Sequence, residues 1–512
     1  MTDSATDTTS TTDPDQPYGA ADVVVVGAGN AAACAALAAR ESGASVIMLE
    51  AAPERDCGGN SRYTAGAMRV VFNTVDDLVQ LLPDLTDDER TNVDFGSYTR
   101  QQYFDDLGRI TQYRTHPDLA ELLVDRSFPT MVWMREKGVR FQPSYGRQAF
   151  KVDGRFKFWG GLAVETWGGG EGLVELEHKA CQRDGVKLFY EAPAHSLMVA
   201  PDGRVTGVRA RHDGRLVDVP AKAVVLAAGG FESNAEWRAR YLGPNWDLAK
   251  VRGTRFNTGA GIRMALDIGA MPYGHWSGSH AVAWDLNAPE FGDLKVGDGF
   301  QKHSYPLGVM VNARGERFVD EGADFRNYTY AKYGSVIMDQ PDMFCWQIFD
   351  AKVLDMLRDE YRIREVTKVS ASTLEELVTK LEGVDPNRAL ETLRTYNAAV
   401  QTDIPFNPAV LDGRRTVGLP VDKTNWANVL DTPPFEAYAV TCGVTFTFGG
   451  LKVTTDCEVE DTAGSPIPGL FAAGELVGGL FYHNYPGGTG LTSGAVFGRI
   501  AGNTAGRYVT AG

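Results

Sequence analysis

A chain of 512 residues is too long for one ordinary hydrophobic core, so two or more domains are expected. Its 43% apolar and 23% charged residues are normal for a soluble globular protein. The net charge of -16 argues against nucleic acid or an anionic membrane as main partner, yet leaves room for a local basic pocket and an anionic substrate.

Residues 1–17 (MTDSATDTTSTTDPDQP) are Ser, Thr and Asp with almost nothing apolar and read as a disordered tail. They lack the basic start and apolar stretch of a signal peptide. Residues 23–26 (VVVV) form a β-branched run suited to a central parallel strand buried on both faces. The turn Gly27-Ala28-Gly29-Asn30-Ala31-Ala32 follows, then an alanine-rich helix to about Arg40, a second apolar strand over 45–49, and Glu50. A buried strand and helix explain the apolar run 23–39 better than a membrane span, so no transmembrane segment is expected. Gly27 permits the tight turn, Gly29 lets a pyrophosphate approach the backbone, and Ala32 lets helix and strand pack closely. The helix N-terminus at Asn30 and Ala31 offers N–H groups and positive dipole to a diphosphate. Glu50 can accept hydrogen bonds from an adenosine ribose. This is a Rossmann-type βαβ unit, which by itself does not separate FAD from NAD.

Three later segments point to FAD. The first is Gly58-Gly59-Asn60-Ser61 with Ala65-Gly66-Ala67, just past Glu50. Residues 204–226 then read as a hairpin turning at Asp213-Gly214, whose return strand runs into Ala227-Ala228-Gly229-Gly230. The third is Leu470-Phe471-Ala472-Ala473-Gly474-Glu475, followed by Pro486-Gly487-Gly488-Thr489-Gly490-Leu491. A nicotinamide domain needs no such C-terminal return, whereas a flavin dinucleotide enclosed by distant parts of the chain does. The six cysteines form no CxxC pair, so no metal site is expected; isolated thiols fit a reducing cytoplasm. With no haem motif either, electrons must leave to a partner protein, a quinone, a dye or oxygen.

At these residues the chain resembles the fumarate reductase/succinate dehydrogenase flavoprotein superfamily, which also contains 3-ketosteroid dehydrogenases. The resemblance covers nearly everything after residue 20. It implies an α/β fold: a Rossmann-type FAD-binding domain over residues 18–274 and 448–508, with an inserted α+β cap domain over 275–447. It places the glycine segments above, Glu50 and Thr258-Gly259-Ala260-Gly261 around FAD. Relatives that tether FAD use a histidine just after the GG segment; residues 61–66 (SRYTAG) contain none, so noncovalent FAD is expected. In the cap, Ser372-Thr373-Leu374-Glu375 reads as a capping box. Asp385-Pro386 reads as the start of a helix carrying Leu390, Leu393 and Asn397.

Residues 311–321 (VNARGERFVDE) and then Phe325-Arg326-Asn327 match the pattern that precedes the proton-shuttling arginine of fumarate reductases. Arg326 takes that position. An arginine is a poor base unless a pocket and relay hold it, and the alternative is a surface salt bridge. His280 falls where the family has a substrate-binding histidine; the alternative is a structural histidine. Two positions depart from the family. Residues 445–450 (TFTFGG) lack the usual histidine, and His483-Asn484-Tyr485 puts Tyr485 at an arginine position. Both departures count against ordinary fumarate or succinate chemistry. The strings FKFWGG, ETWGGGEGL, TCGVTFTFGG and GGLFYHNYPGGTGL resemble the tricarballylate dehydrogenase branch. That resemblance implies α,β-dehydrogenation (CH–CH to C=C) of a small polycarboxylate, with a β-hydride passing to flavin N5. Arg326 would move the proton, and His280, His483 and Tyr485 would bind or polarise the substrate. Tyr482 and Tyr485 could instead pack on the isoalloxazine. Arg62 or Arg69 could add charge, the alternative for each being a surface position. Rival readings are a cyclic ketone or 3-ketosteroid held by Trp159, Trp276, Phe446 and tyrosines, reduction of an activated alkene, an electron-carrying subunit, and a catalytically silent FAD-binding protein.

Overall fold

The computed structural model describes residues 16–511, so the expected tail lies outside the described residues except for Gln16 and Pro17. The chain opens with β1 (Ala21–Val26), α1 (Asn30–Glu41) and β2 (Val46–Leu49). After a long excursion come β3 (Lys187–Phe189), β4 (Ala194–Val199), β5 (Val205–His212) and β6 (Arg215–Leu226). The middle holds β7 (Lys250–Val251), β8 (Pro272–Asp285), β9 (Val309–Asn312), α2 (Tyr330–Met338), β10 (Cys345–Phe349), β11 (Lys368–Ala371), α3 (Pro386–Ala399) and β12 (Phe435–Leu451). The chain closes with β13 (Glu458–Glu460), β14 (Pro466–Ala472) and α4 (Thr489–Thr510).

The first sheet runs β13-β14-β6-β1-β2-β3. Its strands from β14 to β3 are parallel, and β13 is antiparallel. Val24 lies between Val224 and Ile47, which is why β1 reads as an unbroken β-branched run. The hairpin of β5 and β6 turns at Asp213-Gly214, with His212 opposite Arg215. Helix α4 packs along α1. A Cβ at Gly498 would lie 2.4 Å from the Ala31 carbonyl oxygen, and one at Gly502 would lie 2.1 Å from that of Ala35, so the two backbones touch.

The second sheet runs β7-β12-β10-β9, with β8 and β11 also paired to β12. One side carries a core of its own, including Val309, Val311, Trp346, Ile348, Leu393 and Tyr396. Strands β8 and β12 pair antiparallel from Pro272 opposite Leu451 to Asp285 opposite Val440, interrupted by irregularities at His275/Ser279 and His280/Ala281. The expected cap borders, 275 and 447, fall inside these two strands. Asp385 caps α3 as expected, accepting from the Asn387 and Arg388 N–H groups. The expected box at Ser372 is not formed; the cap sits one residue later and its acid reaches back past it. Thr373 is the N-cap, its hydroxyl accepting from Glu376 N–H at 3.1 Å, and Glu376 accepts from Ser372 N–H at 3.1 Å. Both frames fit S/T-x-x-E; the frame chosen buries Leu377 and Val378 in the cap core. All six cysteines are buried free thiols. Among the described residues no helix is long and apolar enough to cross a membrane, and no cluster could hold a metal.

Candidate active site

A cavity of about 460 Å³ lies between the two sheets, lined by residues from both. Gly27 bends the chain after β1 at φ +112°, where a Cβ would meet the Ala227 carbonyl oxygen at 2.4 Å. The turns after β1 and β6 therefore interlock. At Gly29 a Cβ would meet Gly58 O and Ser61 Oγ at 3.2 and 3.3 Å, and Ser61 Oγ accepts from Asn30 N–H at 3.1 Å. The GGNS segment is thus laid on the start of α1. Asn60 ties it further: its Nδ2 donates to the Thr445 carbonyl and to Glu232 Oε1 at 2.6 Å. Neither Gly29, the N-cap of α1, nor Gly488, that of α4, makes a side-chain cap, and the first residues of both helices line the cavity. Both helix N-termini face it, with the first N–H of each already taken, Asn30 by Ser61 Oγ and Thr489 by the Pro486 carbonyl. Glu475 lines the wall and accepts from Thr447 N–H at 2.8 Å, its carboxyl pairing with that of Glu232. Burial, then Glu232, pushes Glu475 well above the usual carboxylate range, so it carries the proton the two share.

The cap closes the other side. Arg317 pairs with Glu321 through Nε at 3.1 Å and Nη2 at 2.6 Å, which stiffens the loop leading to Arg326. The turn at Arg326 is pinned by Asn327 Nδ2 donating to Gln148 at 3.1 Å and by Gly487 N–H donating to the Asn327 carbonyl at 2.9 Å. Arg326 Nη2 donates to the Arg147 carbonyl at 2.9 Å, and its Nε is buried without a partner among the described residues. Both ring nitrogens of His280 and Nε2 of His303 are likewise buried and unpartnered. Burial, reinforced by Arg252, drives His280 well below its ordinary value; burial, then Arg326, does the same for His303, so both rings are neutral. Burial also lowers Arg326 from the ordinary arginine value. The Tyr330 and Tyr485 hydroxyls hydrogen-bond to each other, and the His280 ring stands edge-on to both, at 5.0 and 4.7 Å.

The family model described as FAD binding domain matches residues 22–491. The chain belongs to this FAD-binding flavoprotein family. It is 29% identical to a probable fumarate reductase, Ifc3, of Shewanella frigidimarina, over 95% of this chain and 75% of that one. It is 28% identical to the vinyl phenol reductase of Lactiplantibacillus plantarum, over 95% and 96% of the two chains. Among solved structures, the open form of a flavocytochrome c3 fumarate reductase superposes with TM-score 0.70 at 25% identity, covering 96% of this chain and 79% of that one. The flavoprotein is an FAD-dependent oxidoreductase of the fumarate reductase/succinate dehydrogenase family, acting on C=C or CH–CH bonds. Two helix N-termini, the glycine turns and Glu50 on the wall fit FAD.

Of the residues expected to hold the flavoprotein's cofactor, Gly27, Gly29, Asn30, Ala31, Glu50, Gly59, Asn60, Ser61, Ala228, Gly229, Gly474, Glu475, Gly490 and Leu491 line the cavity. Gly66 does not; it turns toward Thr166, whose Oγ1 a Cβ there would strike at 2.0 Å. Arg326, His280 and Tyr485 meet in the cavity, but His483 stays outside it, exposed, with its N–H donating to His275 Nδ1 at 3.0 Å. His483 has φ +62°, a backbone kink that turns it away while Asn484 donates to the Tyr328 carbonyl at 2.6 Å. Tyr482 stacks on His275 rather than facing the cavity. Arg62 pairs with Glu171. Arg69 is fully buried, donating to the Gly487 and Gly160 carbonyls at 2.8 Å, and is no surface residue. Of the expected aromatic wall, Phe446 and the tyrosines Tyr330 and Tyr485 line the cavity; Trp276 stacks on Phe231, and Trp159 borders a separate small cavity of about 40 Å³ behind Arg326. Arg147, Arg252, Asp298, Gln301, His303 and Tyr330 also line the cavity and escaped the sequence reading. Arg252 stands six residues before Thr258, and Tyr330 four after Arg326, the only local hints they gave.

Proposed function

We propose that the flavoprotein dehydrogenates a small polycarboxylate such as tricarballylate to an aconitate-like alkene, by proton abstraction beside a carboxylate. The observation that carries this reading is the set of buried, unpartnered polar atoms in the cavity: Arg326 Nε, His280 Nδ1 and Nε2, and His303 Nε2. Buried polar groups left open in a cavity mark where a polar ligand completes them. FAD, when bound noncovalently, supplies the two-electron acceptor. Burial, then Arg147, lowers Arg326 and so eases its neutral form, which takes the proton; the charge it gains steadies the enolate. The neutral His280 and His303 rings each offer one donor and one lone pair without competing for that proton. His280 and Tyr485 orient the substrate. Electrons then leave to a separate acceptor, in a reducing cytoplasm on the pattern of the cysteines.

A second reading, dehydrogenation of a cyclic ketone, is favoured by the Tyr330–Tyr485 hydroxyl pair, which could donate to a carbonyl oxygen. Anaerobic titration at low and high ionic strength separates the two. Tricarballylate should bleach the flavin, with binding that weakens as salt rises. Bleaching by a 3-ketosteroid alone, insensitive to salt, would transfer the assignment to the ketone.

A further inference from the structure

Two arginines in the cavity wall share one carboxylate. Asp298 Oδ1 accepts from Arg252 Nε at 2.8 Å and from its Nη2; Oδ2 accepts from Arg147 Nη1 at 3.1 Å and from Gln301. Arg252 Nη1 reaches Thr445 Oγ1 at 3.2 Å. Arg252 and Asp298 are only 7% and 8% exposed. Of the five N–H donors of Arg252, these bonds use three, and two stay open in a residue that lines the cavity. Arg326 stands next to the cluster, bonded to the backbone of Arg147. Two guanidiniums thus share Asp298, with Arg326 beside them; Glu360 reaches Arg326 and Arg147, and Glu165 and Asp359 also reach Arg147. The two open donors of Arg252 lie in a buried cavity wall, and an anionic ligand is their natural complement.

We infer that Arg252 and Arg147, yoked by Asp298, form a carboxylate-binding jaw that selects substrates carrying an additional carboxylate away from the one met by Arg326. The jaw rests on the polycarboxylate reading and deepens it. Asp298 is the positioning residue: it fixes the guanidinium of Arg252 in one plane and holds two like charges together. Thr445 adds a second stop on Arg252. The jaw has one half just after β7, on the second sheet, and one half on the helical turn Tyr145–Gln148, whose Arg147 carbonyl also holds Arg326.

The test compares tricarballylate with succinate, which lacks one carboxymethyl arm, by calorimetric titration of the oxidised holoenzyme. Arg252→Gln should weaken tricarballylate by about 100-fold and succinate, with one carboxylate fewer, by about tenfold or less. Arg147→Gln, in a half-buried side chain, should shift tricarballylate in the same direction by about tenfold. FAD content is measured first; should Arg252→Gln lose its flavin, the Arg147→Gln titrations decide. Wild-type enzyme that binds both acids, with variants unchanged or equally weakened for the two, overturns the jaw alone. Wild-type enzyme that binds neither overturns the polycarboxylate reading and the jaw with it.

Discussion

Arg326 is placed by the backbone around it rather than by an ion pair of its own. The Arg317–Glu321 pair braces the loop, Asn327 and Gly487 pin the turn, and Nε stays open to the cavity. Arg326→Gln should keep its FAD and lose turnover by about 10²–10⁴-fold; a steady-state rate per bound flavin near wild type would remove it from the reaction. The Glu232–Glu475 pair has a separate signature. Glu475 holds its proton in the folded protein far above the ordinary carboxyl value of 4.5, so the unfolded chain binds fewer protons above that pH. The stability that this pair contributes therefore falls as pH rises above about 4.5. Glu475→Gln, which cannot ionise, should gain on wild type by up to about 1.4 kcal/mol per pH unit in that window. Denaturant midpoints at several pH values check this, and a constant difference would mean that the two acids share no proton. Arg326 and His280 were legible because each sits in a string of fixed spacing. Arg252, Asp298 and His303 were not, because they come from loops whose meeting is decided only when the second sheet folds against the first.

Helices α1 and α4 pack backbone against backbone. Gly494, Gly498, Gly502 and Gly506 recur every fourth residue and turn one bare stripe of α4 onto α1. Gly502→Leu would drive a side chain into the Ala35 carbonyl and should cost about 3 kcal/mol. Its thermal midpoint and flavin content should both drop, since α1 also presents its N-terminus to the cofactor; an unchanged midpoint would show that the helices can part. The sequence announced α1 through its alanines and its glycine turn. It concealed α4, because glycines weaken a helix by propensity and only a partner backbone at the other end of the chain gives them a purpose. The same holds for β8 and β12, whose length follows from pairing with each other.

For the whole molecule, FAD is expected to come away without breaking a bond. Acid precipitation should leave a yellow supernatant over a white pellet, and a yellow pellet would mean a covalent tether outside the segment 61–66. The parallel sheet and the FAD-facing glycines were readable because a dinucleotide demands the same few residues wherever it binds. The substrate side was read less well, since there the chemistry depends on which side chains happen to converge. The paired strands β8 and β12 carry one more implication. Chain leaves for the cap through β8 and comes back through β12, and at the border His275 lies directly opposite Phe448. Exit and entrance are thus one ladder rung apart, a spacing of about 5 Å. A change of length between them would leave that rung in place, and with it the register of the dinucleotide sheet below.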